Sequence, residues 1–175
     1  MADSFTRELM GFSRRLLGPG FDFGPLLAHS PPVLEEYLKC RKSLARGSLD
    51  DKQRAQIALE ASEFLGSNYC LSAHYVSAKF LGMSPEEIDG ARQGISADPK
   101  TQALLSFVKA LLGENGAIQD NLFHDLQNHG FTDGEIIEIV ANVAMNYFDN
   151  ILNTSLRTEG KIILFNSEKG PACEP

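Results

Sequence analysis

Cys70 and His74 are the two side chains whose types and spacing most directly indicate chemistry. On a helix, residues four apart lie on one face a turn apart, so an imidazole at position 74 can accept the proton of a thiol at position 70. The thiolate is the reactive form of cysteine. The alternative is that Cys70 is a small buried apolar residue and His74 an ordinary core or surface residue. The spacing therefore indicates a candidate reactive thiol.

The residues just before this pair predict a helix break followed by a new helix start, because they read Gly66, Ser67 and Asn68. If Ser67 or Asn68 is the N-cap, Cys70 lies in the first helical turn. The positive end of the helix dipole there favours the thiolate. Tyr69 lies in the same turn and is predicted to pack, with its hydroxyl able to border a pocket. We therefore predict that Ser67, Asn68 and Tyr69 border the site.

Glu63 is the acidic residue that shares the spacing of this group, since positions 63, 67, 70 and 74 differ by four, three and four. In one unbroken helix they would form a single stripe. The rise of about 1.5 Å per residue would still put Glu63 and His74 roughly 16 Å apart. A break at Gly66 could fold the two helices toward each other, with a water molecule or Ser67 bridging the acid and the thiol. Glu63 is thus a candidate second acid, and the alternative is a solvated helix charge.

Residues 68–74, which read NYCLSAH, resemble the signature of the carboxymuconolactone decarboxylase and AhpD-like alkylhydroperoxidase superfamily. The usual form there is a glutamate, eleven residues, and then C-x-x-C-x-x-x-H. Cys70 and His74 match the second cysteine and the histidine. The resemblance extends through residues 23–37, 100–112 and 130–153, so it covers most of the chain. It implies an all-α, AhpD-like domain of about seven or eight helices that forms a homo-oligomer, a trimer or a hexamer.

Two positions depart from the family pattern. Ser67 stands where the first cysteine is usual, and Ala55 stands where the glutamate is usual. The disulfide-forming pair of the two-cysteine relatives is therefore absent, and so is the usual acid of the proton relay. The resemblance implies that Cys70 reduces a hydroperoxide and becomes a sulfenic acid, with His74 as the activating base.

The leading hypothesis is thus a thiol-dependent peroxidase, an antioxidant-type oxidoreductase whose partners are a hydroperoxide substrate and an external thiol reductant. Because Ser67 cannot form a disulfide, the sulfenic acid would be resolved by an external thiol, by Cys173 or by Cys40, or would not be resolved at all. Two alternatives stay open. One is a catalytically decayed family member that acts as a small-molecule-binding protein or an oligomeric scaffold, and the other is a decarboxylase-like enzyme. The residues imply no cofactor and no metal site.

The composition is that of an ordinary globular protein, with 43% hydrophobic and 22% charged residues. Twenty-three acidic against sixteen basic residues give a net charge of −7, which argues against nucleic-acid binding. Apolar runs are too short to span a membrane, and the first twenty residues lack the uninterrupted apolar stretch of a secretory signal. Three cysteines do not form a disulfide framework. These features predict a cytoplasmic protein without membrane partners.

Apolar spacing predicts helices throughout a single domain of residues 1–175, with 161–175 as an apolar C-terminal tail. The Cys70 helix is expected to be central. Two later helices start with capping boxes, Ser84 with Glu87 and Thr132 with Glu135. The predicted helices cover about residues 4–17, 31–45, 50–65, 68–82, 85–94, 98–112, 119–128 and 133–157.

The predicted helix over 133–157 is apolar on more than one face, which favours a central position or an oligomer contact. A polar ridge also runs along it, because asparagines recur at spacings of four and three. The family resemblance places asparagines of this stretch near the protomer contact and the pocket, so one or two would hydrogen-bond across an interface. The alternative is a solvated face. The ridge consists of Asn142, Asn146, Asn150 and Asn153.

Overall fold

The described part of the chain is helical throughout. In the computed structural model, the structure describes residues 24–114 and 116–156, and these residues form eight helical segments and no strand. None of these helices is long and apolar enough to cross a membrane. The predicted all-α fold class is confirmed. The predicted helix over 4–17 and the tail over 161–175 lie outside the described residues.

The helices follow one another with short connections. The first, α1, is a single turn. The bounds are α1 Gly24–Leu27, α2 Pro31–Leu44, α3 Asp51–Phe64, α4 Asn68–Phe80, α5 Pro85–Gln93, α6 Pro99–Gly113, α7 Asp120–Asn128 and α8 Asp133–Leu156.

The chain divides into two compact units between Arg46 and Gly47. The described part of the first unit contains α1 and α2. Helix α2 begins with two prolines, which fit the first turn because its N–H groups have no helical partner. The second unit contains α3 to α8 and every candidate site residue. A single domain over 1–175 stays a prediction.

Helix α3 is the central helix of the second unit, and it packs against α4, α5, α6 and α8. One side joins α6 and α8 in an apolar cluster that includes Ile57 and Phe107. Another side joins α4 and α5 in a cluster that includes Leu59, Leu71 and Ile88. We expected α4, the Cys70 helix, to be central. The structure gives this place to α3, because every residue from 55 to 62 is buried.

Both predicted capping boxes are present. At the start of α5, the Ser84 N–H donates to Glu87 Oε2 at 2.7 Å, and the Glu87 N–H donates to Ser84 Oγ at 3.2 Å. Before α8, the Thr132 N–H donates to Glu135 Oε2 at 2.8 Å, and the Glu135 N–H donates to Thr132 Oγ1 at 3.2 Å. Local sequence therefore determines where these helices begin.

Polar contacts tie α8 to both ends of α3. Just before α3, the carboxylate of Glu138 accepts the backbone N–H groups of Ser48, at 2.8 and 3.0 Å, and of Leu49, at 3.1 Å. Just after α3, Asn153 Nδ2 donates to Ser67 Oγ at 3.1 Å. Helix α8 therefore runs in the same direction as α3, and its last turns reach the start of the Cys70 helix.

Candidate active site

The junction between α3 and α4 is a tight turn centred on Gly66, which has a φ of 68° that favours glycine. The Ser67 N–H donates to the Ser62 carbonyl and the Gly66 N–H to the Glu63 carbonyl, both at 3.1 Å. This pair of bonds is a Schellman motif, which satisfies the last carbonyl groups of α3. The predicted helix break is confirmed.

Ser67 is the N-cap of α4, and its Oγ accepts the backbone N–H of Cys70 at 3.4 Å. Cys70 is therefore the third residue of the helix, in the first turn, as predicted. The helix dipole at this position stabilises a negative charge on the sulfur. Of the two residues between them, Asn68 is exposed and Tyr69 is partly exposed. The binding roles predicted for these residues stay predictions.

Cys70 is fully buried, at 0% exposure, whereas His74 is partly buried. Both lie on α4 at the helical spacing that places them on one face. The alternative interpretation of Cys70 as a small buried residue predicts this burial, and by itself burial disfavours a thiolate, because an anion loses more hydration than a neutral thiol. Any reactant of this thiol must therefore reach a sulfur that is closed to solvent in this conformation.

Glu63 lies on the last turn of α3 with its side chain 42% exposed. Its Oε2 accepts a hydrogen bond from Arg92 Nε of α5 at 2.8 Å. This ion pair gives the carboxylate a structural role between two helices. The break at Gly66 is present, but a role for Glu63 as a second acid stays a prediction.

The asparagine ridge of α8 is not a solvated face, because Asn142, Asn146 and Asn150 are 3%, 2% and 1% exposed. Each Nδ2 donates to the backbone carbonyl four residues earlier, at 2.7 to 2.8 Å. These bonds leave the Oδ1 atoms of Asn146 and Asn150 without a hydrogen-bond partner among the described residues. The solvated alternative is therefore wrong, and contact with another protomer stays a prediction.

Glu60 is a buried carboxyl group that sequence reasoning did not single out. It is 4% exposed, and its Oε2 has no hydrogen-bond partner within residues 24–114 and 116–156. Burial raises the pKa of Glu60 to about 8, and the nearby charge of Lys109 opposes only part of this effect. The signal in the sequence was its position, since Glu60 lies within the run AQIALEAS, where most residues are small or apolar.

The described residues contain no group of three or more histidine, cysteine or acidic side chains arranged to hold a metal ion. The side chains of Cys70, His74 and Ser67 bring a thiol, an imidazole and a hydroxyl to the start of α4. These groups can perform proton transfer and nucleophilic attack by sulfur.

Residues 31–113 match the carboxymuconolactone decarboxylase family. This match supports the superfamily predicted from the sequence. The matched segment runs from α2 through α6 and includes the Cys70 helix. No curated protein matches the chain at a significant level.

Solved structures of other proteins share the fold. One is a protein of unknown function from Agrobacterium tumefaciens, for which the name antioxidant defence protein AhpD has been suggested. Its TM-score is 0.71 at 21% identity, over 78% of this chain and 96% of that chain. An uncharacterised peroxidase-related protein from Silicibacter sp. TM1040 has a TM-score of 0.76 at 19% identity, over 88% of this chain and 83% of that chain.

The debrominase Bmp8 is also similar, in the structure of a variant with a cysteine replaced by alanine in complex with 2,3,4-tribromopyrrole. Its TM-score is 0.74 at 18% identity, over 89% of this chain and 85% of that chain. At such identities the likeness establishes the fold, which is the AhpD-like helical domain. Peroxidase-related proteins and a debrominase thus share this architecture, so the fold does not select the reaction.

Proposed function

We propose that this protein is a thiol peroxidase in which Cys70 is the single reactive cysteine. The observation that carries the proposal is the position of Cys70, three residues after the N-cap of α4 and one turn before His74. Both the helix dipole and the imidazole favour the thiolate there. The family match and the relatives that are named as peroxidase-related or as AhpD support the same chemistry.

The proposed reaction begins when His74 accepts the thiol proton of Cys70. The thiolate attacks the terminal oxygen of the hydroperoxide, so that an S–O bond forms while the O–O bond breaks. The leaving alkoxide takes the proton from the His74 imidazolium and departs as an alcohol. Sulfur is oxidised by two electrons to a sulfenic acid, and the hydroperoxide is reduced by the same two electrons.

Reduction of the sulfenic acid requires a thiol from elsewhere, because Ser67 stands in the position of the partner cysteine. Attack by one external thiol releases water and leaves a mixed disulfide, which a second thiol reduces. Cys40 is a partly exposed free thiol in the other compact unit, and Cys173 lies outside the described residues. We propose an external thiol as the physiological reductant.

Turnover with an alkyl hydroperoxide and a small dithiol tests the proposal. The wild-type protein and a Cys40→Ser variant should consume hydroperoxide and release the alcohol in equal amounts, while Cys70→Ser should not exceed the rate without protein. If Cys70→Ser retains the wild-type rate, the proposal is wrong.

A second function is favoured by what surrounds the thiol. Ala55, at the position of the usual acid, packs in an apolar cluster with Leu59 and Leu71, and Cys70 is closed to solvent. These features fit a family member whose site has decayed and that acts as a small-molecule-binding or scaffold protein. This alternative predicts that neither the wild-type protein nor the Cys40→Ser variant turns over hydroperoxide, and that Cys70 is not stably oxidised.

We also propose a homo-oligomer, a trimer or a hexamer, that forms through α8. An apolar stripe on this helix is exposed, and it would be covered in an assembly. Sedimentation at micromolar concentration should then show a species larger than the monomer of 19.2 kDa. A monomer under these conditions would contradict the proposal. The stripe consists of Ile137, Val140, Tyr147, Phe148 and Ile151.

A further inference from the structure

The hydroxyl group of Ser67 accepts two hydrogen bonds. One comes from the backbone N–H of Cys70 at 3.4 Å and the other from Nδ2 of Asn153 at 3.1 Å. A serine hydroxyl has two acceptor lone pairs and one proton to donate. Both lone pairs are therefore occupied, and the proton is the only hydrogen-bonding capacity that Ser67 Oγ retains.

This proton needs an acceptor, because Ser67 is 4% exposed and a buried donor without a partner is costly. No hydrogen bond among residues 24–114 and 116–156 uses it. The Ser67 Oγ accepts the backbone N–H of Cys70, so the hydroxyl meets the residue that carries the sulfur in the first turn of α4. A thiol is a weak acceptor, but a thiolate accepts a charge-assisted hydrogen bond.

We infer that Asn153 is a positioning residue that directs the Ser67 hydroxyl to donate its proton to the Cys70 thiolate. The inference deepens the proposed function of Cys70 and rests on it. The amide nitrogen of Asn153 can only donate, so it occupies a lone pair of Ser67 and never competes for its proton. The hydrogen bond from Asn153 to Ser67 joins α8 to the start of α4, across 86 positions in the sequence. Nearer the other end of α8, Glu138 accepts the backbone N–H of Ser48. Helix α8 thus stabilises the reactive form of a thiol on α4.

The titration of Cys70 tests this inference without any peroxide. Thiolate absorbance in the ultraviolet reads the pKa of a buried sulfur, in a chain whose other two cysteines are replaced by serine. Asn153→Ala should raise the pKa of Cys70 by about half a unit to one unit. Asn153→Asp should raise it further, because a carboxylate accepts the Ser67 proton and adds a negative charge. Thr154→Asp is the matched control, since it adds the same charge at an exposed neighbouring position, and it should change the pKa little.

A double-mutant cycle separates positioning from a general structural effect. Ser67→Ala removes the hydroxyl and should itself raise the pKa of Cys70. Adding Asn153→Ala to Ser67→Ala should then produce no further rise, because Asn153 acts through the hydroxyl. Equal rises in both backgrounds, or an unchanged pKa in Asn153→Asp, would overturn the inference. Thermal unfolding of each variant verifies that a folded protein is titrated.

The two proposals can fail separately. If these pKa changes occur but the wild-type protein does not reduce hydroperoxide, then the peroxidase proposal is wrong and the role of Asn153 toward the thiolate stands. If the wild-type protein turns over hydroperoxide and the pKa of Cys70 is the same in Asn153→Asp as in the wild-type protein, then the peroxidase proposal stands and the inference about Asn153 is overturned.

Discussion

Replacing Glu60 by glutamine is expected to remove a large pH dependence of the stability of this protein. The carboxyl group is 4% exposed, and its pKa is raised by burial from an ordinary 4.5 to about 8. Between these two pH values the folded chain binds more protons than the unfolded chain, so the unfolding free energy falls as the pH rises. The contribution of Glu60 is fully present below pH 4.5 and is lost as the pH rises through about 8.

The size of this loss of unfolding free energy follows from the pKa shift of Glu60. Each pKa unit corresponds to about 1.4 kcal/mol, so the full shift sets an upper limit of about 5 kcal/mol. Lys109 supplies an opposing charge, and local relaxation on ionisation reduces the cost further. We therefore expect a loss of about 2 to 4 kcal/mol of unfolding free energy between about pH 5 and about pH 9 in the wild-type protein. Glutamine keeps the shape of the side chain and cannot ionise, so Glu60→Gln should lose far less unfolding free energy over the same pH range.

Urea unfolding of both proteins at about pH 5, 7 and 9 measures this difference. Glu63→Gln is the matched control, because Glu63 is on the same helix but 42% exposed, where an ion pair contributes about 1 kcal/mol or less. This control should retain the wild-type pH dependence. If Glu60→Gln and the wild-type protein lose stability in parallel, Glu60 is not protonated at neutral pH and the reasoning is wrong.

Three further substitutions test the site and the fold. His74→Ala should raise the pKa of Cys70 by about one unit or more, because it removes the imidazole that we propose stabilises the thiolate; an unchanged thiolate titration would exclude that role. Ser67→Cys should trap oxidised Cys70 as a disulfide, visible by mass spectrometry, and should speed turnover with a dithiol. A sulfenic acid that persists in this variant would show that the two side chains do not meet. Glu138→Ala should lower the unfolding free energy by about 1 to 3 kcal/mol, because the backbone N–H groups before α3 lose their acceptor; a loss below about 0.5 kcal/mol would show that water replaces it.

The parts of the fold that local chemistry determines were predictable from the sequence. The turn at Gly66, the N-cap at Ser67 and the capping box at Ser84 depend on residues within a few positions of one another. Their hydrogen bonds are made within one turn, so both partners of each bond are neighbours in the sequence and can be recognised there. The same locality explains why the helical position of Cys70 was predicted correctly.

The features that depend on distant residues were not predictable. The burial of Cys70, the central position of α3 and the contact from Asn153 to Ser67 all depend on which helix packs against which. Periodicity shows that a helix has an apolar face but does not identify its neighbour. The buried ridge of asparagines shows this limit, since its spacing fits a solvated face equally well.

The most direct test of the central claim is whether Cys70 forms a sulfenic acid. One equivalent of an alkyl hydroperoxide, followed by dimedone and peptide mass spectrometry, measures this for Cys70 and for Cys40 in the same sample. We expect an adduct on Cys70 and none on Cys40, with the Cys70 adduct reduced in His74→Ala. A folded wild-type protein whose Cys70 carries no adduct would contradict the claim and would favour a binding or scaffold function.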